Sequence, residues 1–273
     1  MDRLIDEVEF TIFDTETTGL EPRAGDRIVE IAAIRFKAGE KSASFESLVN
    51  PGRKISEAAF AVNHISQEML EGAPTIAQIA PQFIKFIEGS CLCSYNAPFD
   101  LEFLNNELAM HSLALPQGTM IVDVLKMARR LVPGLQRYAL WFVAEKMGVR
   151  QQQKHRALED VEMTLGVFNK LREILKTKGV DDFKNFAGLF SIDPVFLNNM
   201  QNERLAQIQE AIDLGVKLKI KYLSSTSAQL TEREVLPKEI RQESGKTYLV
   251  GFCCLRNEER SFRIDGILHL EII

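Results

Sequence analysis

The 273-residue chain has one tryptophan and four cysteines. It has no apolar run near the ~20 residues that would span a bilayer. No stretch is repetitive or of low complexity, which excludes fibrous, disordered and repeat architectures. The cysteines fall as "CLC" (Cys91, Cys93) and "CC" (Cys253, Cys254). Neither is a C-x-x-C pair, so a structural zinc is not expected, and both pairs read as small buried hydrophobes. Positive charge is also short: 33 Lys and Arg stand against 38 Asp and Glu, a net of −5. That argues against a large nonspecific coat on nucleic acid, although a local basic groove can coexist with an acidic total. The opening "MDRLIDEVEF" is too acidic for a signal peptide, so a soluble, cytoplasmic chain with no membrane contact is expected.

What is present is an ordinary folded composition, 45% hydrophobic and 26% charged, at a length that suggests two domains. Residues 8–16, 27–36 and 43–49 read as strands separated by "GLEPRAGD" and "KAGEK", an antiparallel meander. Helical patterns follow over 57–71 and 75–88, then a short strand, "CLCSY", and a helix from about Pro98 to Ala109 with proline in its first turn. "MIVDVLKMARRL" reads as a strand entering a helix, and 136–147 as another helix. The most regular helix is expected over 156–176, where Leu158, Val161, Leu165, Phe168 and Leu175 recur at three- and four-residue steps apart from one break filled by Leu171. Strands first, then helices alternating with short strands, is an α/β pattern. Residues 177–202 are mixed; after them come a helix, "ERLAQIQEAIDLG", and four or five β-runs. These features give domains at 1–178 and 203–273, with 179–202 connecting them.

Three acidic stretches need an explanation. In "VEFTIFDTETTG", alternation puts Val8, Phe10, Ile12, Asp14 and Glu16 on one strand face. The last two Cα atoms are then ~7 Å apart, at ~3.3 Å per residue. Two carboxylates closing a buried row repel and raise each other's pKa, and a divalent cation resolves the conflict. Their hard oxygens suit Mg²⁺ or Mn²⁺. An isolated D-x-E, however, usually marks a strand emerging into solvent. In "SYNAPFDLEFL", Asp100 sits in the first turn of a helix, where an acid by itself reads as a cap. In "KHRALEDVEMTLGVFNKL", Asp160 shares a helix side with Ala157, Thr164, Val167 and Leu171, so it faces inward. His155 precedes that helix in polar "QQQKH", and a lone histidine is ordinarily a surface or satisfied core residue. Glu159 and Glu162 read as solvated charges.

Taken in order, "FDTETTG", "YNAPFD" and "HRALED" resemble the three motifs of the DEDDh family of 3′–5′ exonucleases, the group that includes the proofreading epsilon subunit of bacterial DNA polymerase III. The resemblance covers about residues 7–176 and extends to "VNHISQEMLEGAP" and "VEMTLGVF". It implies a ribonuclease H-like domain, a mixed sheet flanked by helices. Asp14, Glu16, Asp100, His155 and Asp160 fill its five catalytic positions. It implies two Mg²⁺ or Mn²⁺ ions per site, Asp14 bridging them, Glu16 and Asp160 on the nucleophile side and Asp100 on the other. His155, with an ordinary pKa of ~6.5, would be the general base. Thr15, Thr17, Thr18, Gly19 and Leu20 would grip the terminal nucleotide, with Asn96 and Phe99 from the second motif in support. His64 would lie near the substrate strand, or on the open surface. Tyr95 departs from the family pattern, where histidine commonly precedes the asparagine.

From about Glu203 the chain resembles the WYL domain of bacterial regulators and defence-associated proteins, in "LKIKYLS", "TEREVLPKEI", "KTYLVGFC" and "ERSFRIDGI". That family is an Sm-like small β-barrel credited with binding nucleic acid or a nucleotide-like ligand, and Arg233, Tyr248, Arg260 and Arg263 match its polar surface. Thr247 replaces the name-giving tryptophan, and Gly266 stands where a second arginine often follows the aspartate. From Val216 to Ile273 there are ten Lys/Arg and eight Asp/Glu, a net of +2. The expected function is a two-metal 3′–5′ exonuclease that converts single-stranded DNA to nucleoside 5′-monophosphates, with a C-terminal domain that tethers, senses or selects substrate. The alternative is a non-catalytic regulator that uses the exonuclease fold as a nucleic-acid platform. The intact acid set argues against it, because a retired site has no physical reason to keep mutually repelling acids.

Overall fold

The structure, a computed structural model, describes residues 3–149 and 156–273. Strands β1 (Glu9–Thr17), β2 (Ile28–Lys37) and β3 (Glu40–Leu48) form the expected antiparallel meander. Helices α1 (Glu57–Asn63), α2 (Gln67–Leu70) and α3 (Ile76–Ile87) follow. Next, β4 (Cys91–Ser94) pairs parallel to β1, α4 spans Ala97–Met110, and β5 (Ile121–Asp123) pairs parallel to β4. The strand order is β3-β2-β1-β4-β5, with β1 in the middle.

Both faces of this mixed sheet are covered, which is why β1 and β2 read as nearly continuous apolar runs. On one face Val8, Phe10 and Ile12 meet α5 (Val124–Leu131), α6 (Leu140–Lys146), α7 (Ala157–Thr177) and α8 (Phe183–Phe190) in a single core. On the other, Phe13, Ile31 and Ala33 meet Phe83 of α3 and Phe103 and Leu104 of α4. Phe10 is the hub of the first core: its ring lies 5.5 Å from Phe36, 5.2 Å from Phe168 and 5.7 Å from Phe186. Phe10→Ala is therefore expected to lower stability by about 3–5 kcal/mol. A drop in the denaturant midpoint with an unchanged slope checks it.

The second sheet holds β6 (Leu218–Leu223), β7 (Leu230–Glu243), β8 (Lys246–Cys253), β9 (Glu258–Arg263) and β10 (Ile267–Ile272), all antiparallel, in the order β10-β6-β7-β8-β9. Its edge strands β9 and β10 are joined by only the short 3₁₀ turn Ile264–Gly266. Four chain steps reach ~14 Å at most, whereas four strand spacings of a flat sheet need ~19 Å. The sheet must therefore curl, as a small barrel does.

Three expectations needed adjustment. The helix expected over 136–147 runs only from Leu140 to Lys146, because Tyr138 is engaged elsewhere: its carbonyl accepts from Tyr95 Oη at 2.6 Å and its hydroxyl donates to Val132 O at 2.9 Å. The mixed stretch 177–202 contains α8 and the start of α9 (Pro194–Leu214), whose N-cap Asp193 accepts from Val195 N and Phe196 N. The helix expected from Glu203 is thus the second half of a longer one. Cys254 is exposed on the turn after β8, while Cys91, Cys93 and Cys253 are buried. Among the described residues, no helix is long and apolar enough to cross a membrane.

Candidate active site

Asp14 and Glu16 close the inward row of β1, at the carboxyl end of the central strand. The α7 helix packs across that face and presents Asp160 from its first turn; Ala157, Thr164, Val167 and Leu171 on the same side are all buried. One carboxylate oxygen from each of Asp14, Glu16 and Asp160 lies within 4.8 Å of the others. Asp100 arrives from the first turn of α4 and is held firmly. Its Oδ1 accepts from Thr15 N at 3.0 Å and Thr15 Oγ1 at 2.8 Å, and its Oδ2 from Ser94 Oγ at 2.5 Å.

The electrostatics of this cluster are those of a site awaiting positive charge. Burial first, and then the charges of Asp100, Glu16, Asp160 and Glu30, push the Asp14 carboxyl well above the usual range. Burial, followed by Asp160, Glu30 and Asp100, pushes Glu16 up to about 8. Burial also raises Asp100, to about 6, against the opposing hydrogen bonds from Ser94 and Thr15. The donors are all hard oxygens, gathered where like charges would otherwise force protonation, so the residues present fit a divalent cation such as Mg²⁺ or Mn²⁺.

A pH dependence follows. With raised folded pKa values, the metal-free fold keeps protons that the unfolded chain releases. The associated stability is present below the ordinary carboxylate range and is lost as pH rises through about 8. In EDTA the melting temperature is expected to fall between about pH 5 and about pH 9. The rise produced by Mn²⁺ should grow over the same interval, because ligands must be deprotonated to bind. Thermal melts across pH, with and without Mn²⁺, test both trends.

One residue behind the cluster was not singled out from the sequence. Glu30, opposite Glu16 in the β1–β2 register, has no exposed surface. Its carboxylate accepts from Arg156 Nε at 3.0 and 3.1 Å and from Ala157 N at 2.9 Å. It thereby ties the start of α7, one turn before Asp160, to the sheet, and satisfies an N–H that the helix leaves open. The only sequence signal was an acid inside the apolar run "IVEIAAIRF". Glu30→Gln is expected to lower metal affinity or activity by about 10–100-fold, as losses behind metal ligands do. A Mn²⁺ titration together with rate measurements would detect it.

The segment after Glu16 forms a braced turn. Thr17 Oγ1 donates to Gly19 O at 2.5 Å, and Thr18 Oγ1 donates to Asp26 Oδ1 at 3.0 Å. Gly19 is required by close approach: a Cβ there would lie 2.2 Å from Asp26 Oδ2. Helix α1 and its N-cap are bound to the same turn, through Ser56 Oγ to Thr18 O at 2.9 Å and Asn63 Nδ2 to Thr17 O at 3.3 Å. This brings His64, the exposed left-handed cap of α1, to the turn, with its ring edge-on to Phe60. Leu20 is 75% exposed, and Phe60 and Val62 on α1 are also exposed, so an apolar rim borders the acids. Thr15 is turned toward Asp100. Asn96 caps α4 in the left-handed conformation, its N–H donating to Asp123 Oδ1 at 3.1 Å, and Phe99 packs 5.1 Å from Phe103. His155 lies outside the described residues.

In the C-terminal sheet, Arg233, Tyr248, Arg260 and Arg263 line one cavity of about 530 Å³, together with Lys246 and Arg256. Five cations thus border it, and no acid does. Of the two departures from the WYL pattern, Thr247 meets the helix that leads into the sheet and Gly266 meets the first module. Thr247 Oγ1 accepts from Gln201 of α9 at 2.8 Å, and a Cβ at Gly266 would lie 2.9 Å from Arg130 Nη2 of α5. The arginine missing at 266 is replaced in space by one from the neighbouring module.

The fold and the acid cluster define a nuclease-type carboxylate centre on a ribonuclease H-like sheet. Residues 11–168 match the Exonuclease family (RNase_T) and residues 203–272 the WYL domain family; the chain belongs to the exonuclease family and carries a WYL domain. It is 39% identical over 166 residues to DNA polymerase III subunit epsilon of Treponema pallidum, covering 60% of this chain and 76% of that protein. To the DNA polymerase III subunit epsilon-like protein of Rhodobacter capsulatus it is 37% identical over 183 residues, 66% of this chain but only 26% of the relative. Among solved structures, Exonuclease X in complex with 5′-overhanging duplex DNA matches with a TM-score of 0.50 and 29% identity, over 62% of this chain and 93% of that one.

Proposed function

We propose that this chain is a divalent-metal-dependent 3′–5′ exonuclease that removes nucleoside 5′-monophosphates from single-stranded DNA. The observation that carries the reading is the convergence of Asp14, Glu16 and Asp160, from a strand and a helix about 145 residues apart, with Asp100 locked beside them. DNA is favoured over RNA because one relative named above is a DNA polymerase III epsilon subunit, the other is named as epsilon-like, and Exonuclease X was solved with DNA.

Asp14, Glu16, Asp160 and Asp100 would hold two ions, which supply the charge that activates water and stabilises the leaving 3′ oxygen. The chain's own groups do the rest. His155 takes the proton of the attacking water. The turn Thr17–Leu20, with Thr15 bracing Asp100, seats the terminal nucleotide, and His64, Asn96 and Phe99 border the strand. Thr15 and Ser94 keep Asp100 oriented, while Glu30 and Arg156 hold α7 in place.

The basic cavity of the WYL domain is assigned to the phosphate backbone of a strand, with Arg233, Arg260 and Arg263 contacting phosphates and Tyr248 a base. The decisive experiment supplies 5′-labelled single-stranded DNA and matched RNA with Mg²⁺ or Mn²⁺. Stepwise shortening of the DNA, faster than of the RNA, is expected. Shortening of neither would overturn the reading.

A further inference from the structure

The seam between the two modules holds more positive charge than its acids can balance. Lys126 and Arg130 lie one turn apart on α5, Arg204 comes from α9, and Arg263 ends β9. All four act on, or are acted on by, Asp265 of the 3₁₀ turn. Arg263 Nε donates to its Oδ1 at 3.1 Å, Arg130 Nη1 lies 3.6 Å from its Oδ2, and its charge reaches Lys126 and Arg204. The other nearby carboxylates are committed elsewhere. Asp123 accepts from the N–H groups of Asn96, Ala97 and Leu125, while Glu203 points outward toward Lys184 at 3.9 Å. Four cations therefore gather around Asp265, with the charges of Asp123 reaching only Lys126 and of Glu203 only Arg204 among them, so cations outnumber acids by four to three.

Burial makes this imbalance costly. Arg130 is 6% exposed, and its Nε is buried without a hydrogen-bond partner. Desolvation is the first cause lowering the pKa of Lys126, Arg130 and Arg204 alike. Unbalanced buried cations are expensive unless a counter-charge joins them. Donors remain for one: of three on Lys126 the structure uses one, to Ser191 O at 3.0 Å, and of five on Arg204 one, to Ile264 O at 3.4 Å. Both side chains line a cavity of about 130 Å³ together with Gln201, Gly188 and Asp265, its remaining wall being the apolar Leu197, Met200 and Ile264. At ~30 Å³ per water, it has room for about four water-sized groups, the count of oxygens on a tetrahedral oxyanion.

We propose that this seam is a binding site for a tetrahedral oxyanion of the phosphate class, gripped by Lys126 and Arg204 with Arg130 behind them, and that the anion joins the nuclease module to the WYL domain. Its gripping residues, Lys126 and Arg204, border neither the acid cluster nor the basic cavity lined by Tyr248; Arg263 borders that cavity and meets this seam only through Asp265. It is sized for the free anion rather than a whole nucleotide.

The test is titration of inorganic phosphate into the full chain in EDTA, at constant ionic strength, followed by calorimetry and thermal melting. The parent should bind saturably and melt higher with phosphate than with chloride. Lys126→Gln/Arg204→Gln should bind at least about tenfold more weakly, as loss of charged hydrogen bonds implies. Arg233→Gln/Arg260→Gln, in the other cavity, should bind like the parent. Asp265→Asn removes the competing carboxylate and should bind more tightly, which keeps the test usable if the double variant does not fold. Without phosphate, Lys126→Gln/Arg204→Gln should melt no lower than the parent. No binding by the parent, equal binding by Lys126→Gln/Arg204→Gln, loss confined to Arg233→Gln/Arg260→Gln, or weaker binding by Asp265→Asn would each overturn the proposal.

Discussion

Asp14→Asn is expected to shorten 5′-labelled DNA about 10³-fold or more slowly than the parent, and to lose the Mn²⁺-dependent rise in melting temperature. Asparagine keeps the size of the side chain and removes one negative charge. In this cluster that charge lies against those of Asp100, Glu16, Asp160 and Glu30. Its removal eliminates a ligand from the middle of the metal-binding group and at the same time relieves repulsion in the metal-free fold. In EDTA the variant should therefore be at least as stable as the parent. A purely structural carboxylate would behave in the opposite way, since breaking its bonds lowers stability whether or not metal is present. Equal Mn²⁺ shifts in the two proteins would count against the metal site.

His155→Ala is expected to lower the rate by about 10²–10⁴-fold while leaving the Mn²⁺ shift intact. The assignment rests on "HRALED", in which the histidine stands five residues before Asp160, and on an unperturbed imidazole pKa of ~6.5 that suits proton removal near neutrality. A general base differs from a ligand in two readouts. Metal affinity is unchanged in its variant, and the acid limb of the pH–rate profile near ~6.5 flattens. If that limb persists in His155→Ala, the proton goes elsewhere.

The alignment of Asp14 and Glu16 with Val8, Phe10 and Ile12 was legible because a strand's faces alternate with strict period two. The inward face of Asp160 was legible from the stripe of α7 in the same way. The three strands of the meander and the β-segments of the second sheet followed from turn residues and β-branched runs, whereas the order of the second sheet's strands did not. The start of α9 was within reach too: Asp193-Pro194 is a cap followed by a first-turn proline, but polar "NNMQN" hid the helix behind it.

The sequence by itself determined which side chains share a face, because that depends only on the local repeat of the backbone. It therefore determined the chemistry of the acids and the family they resemble. The tertiary structure alone decided what stands behind them. Glu30 meets Arg156 across 126 residues, and Arg130 fills the space that Gly266 leaves open in the other module. No local pattern encodes such pairs. An acid in an apolar run and an arginine in a helix acquire their partners only when the sheet, the helices and the second module close around them.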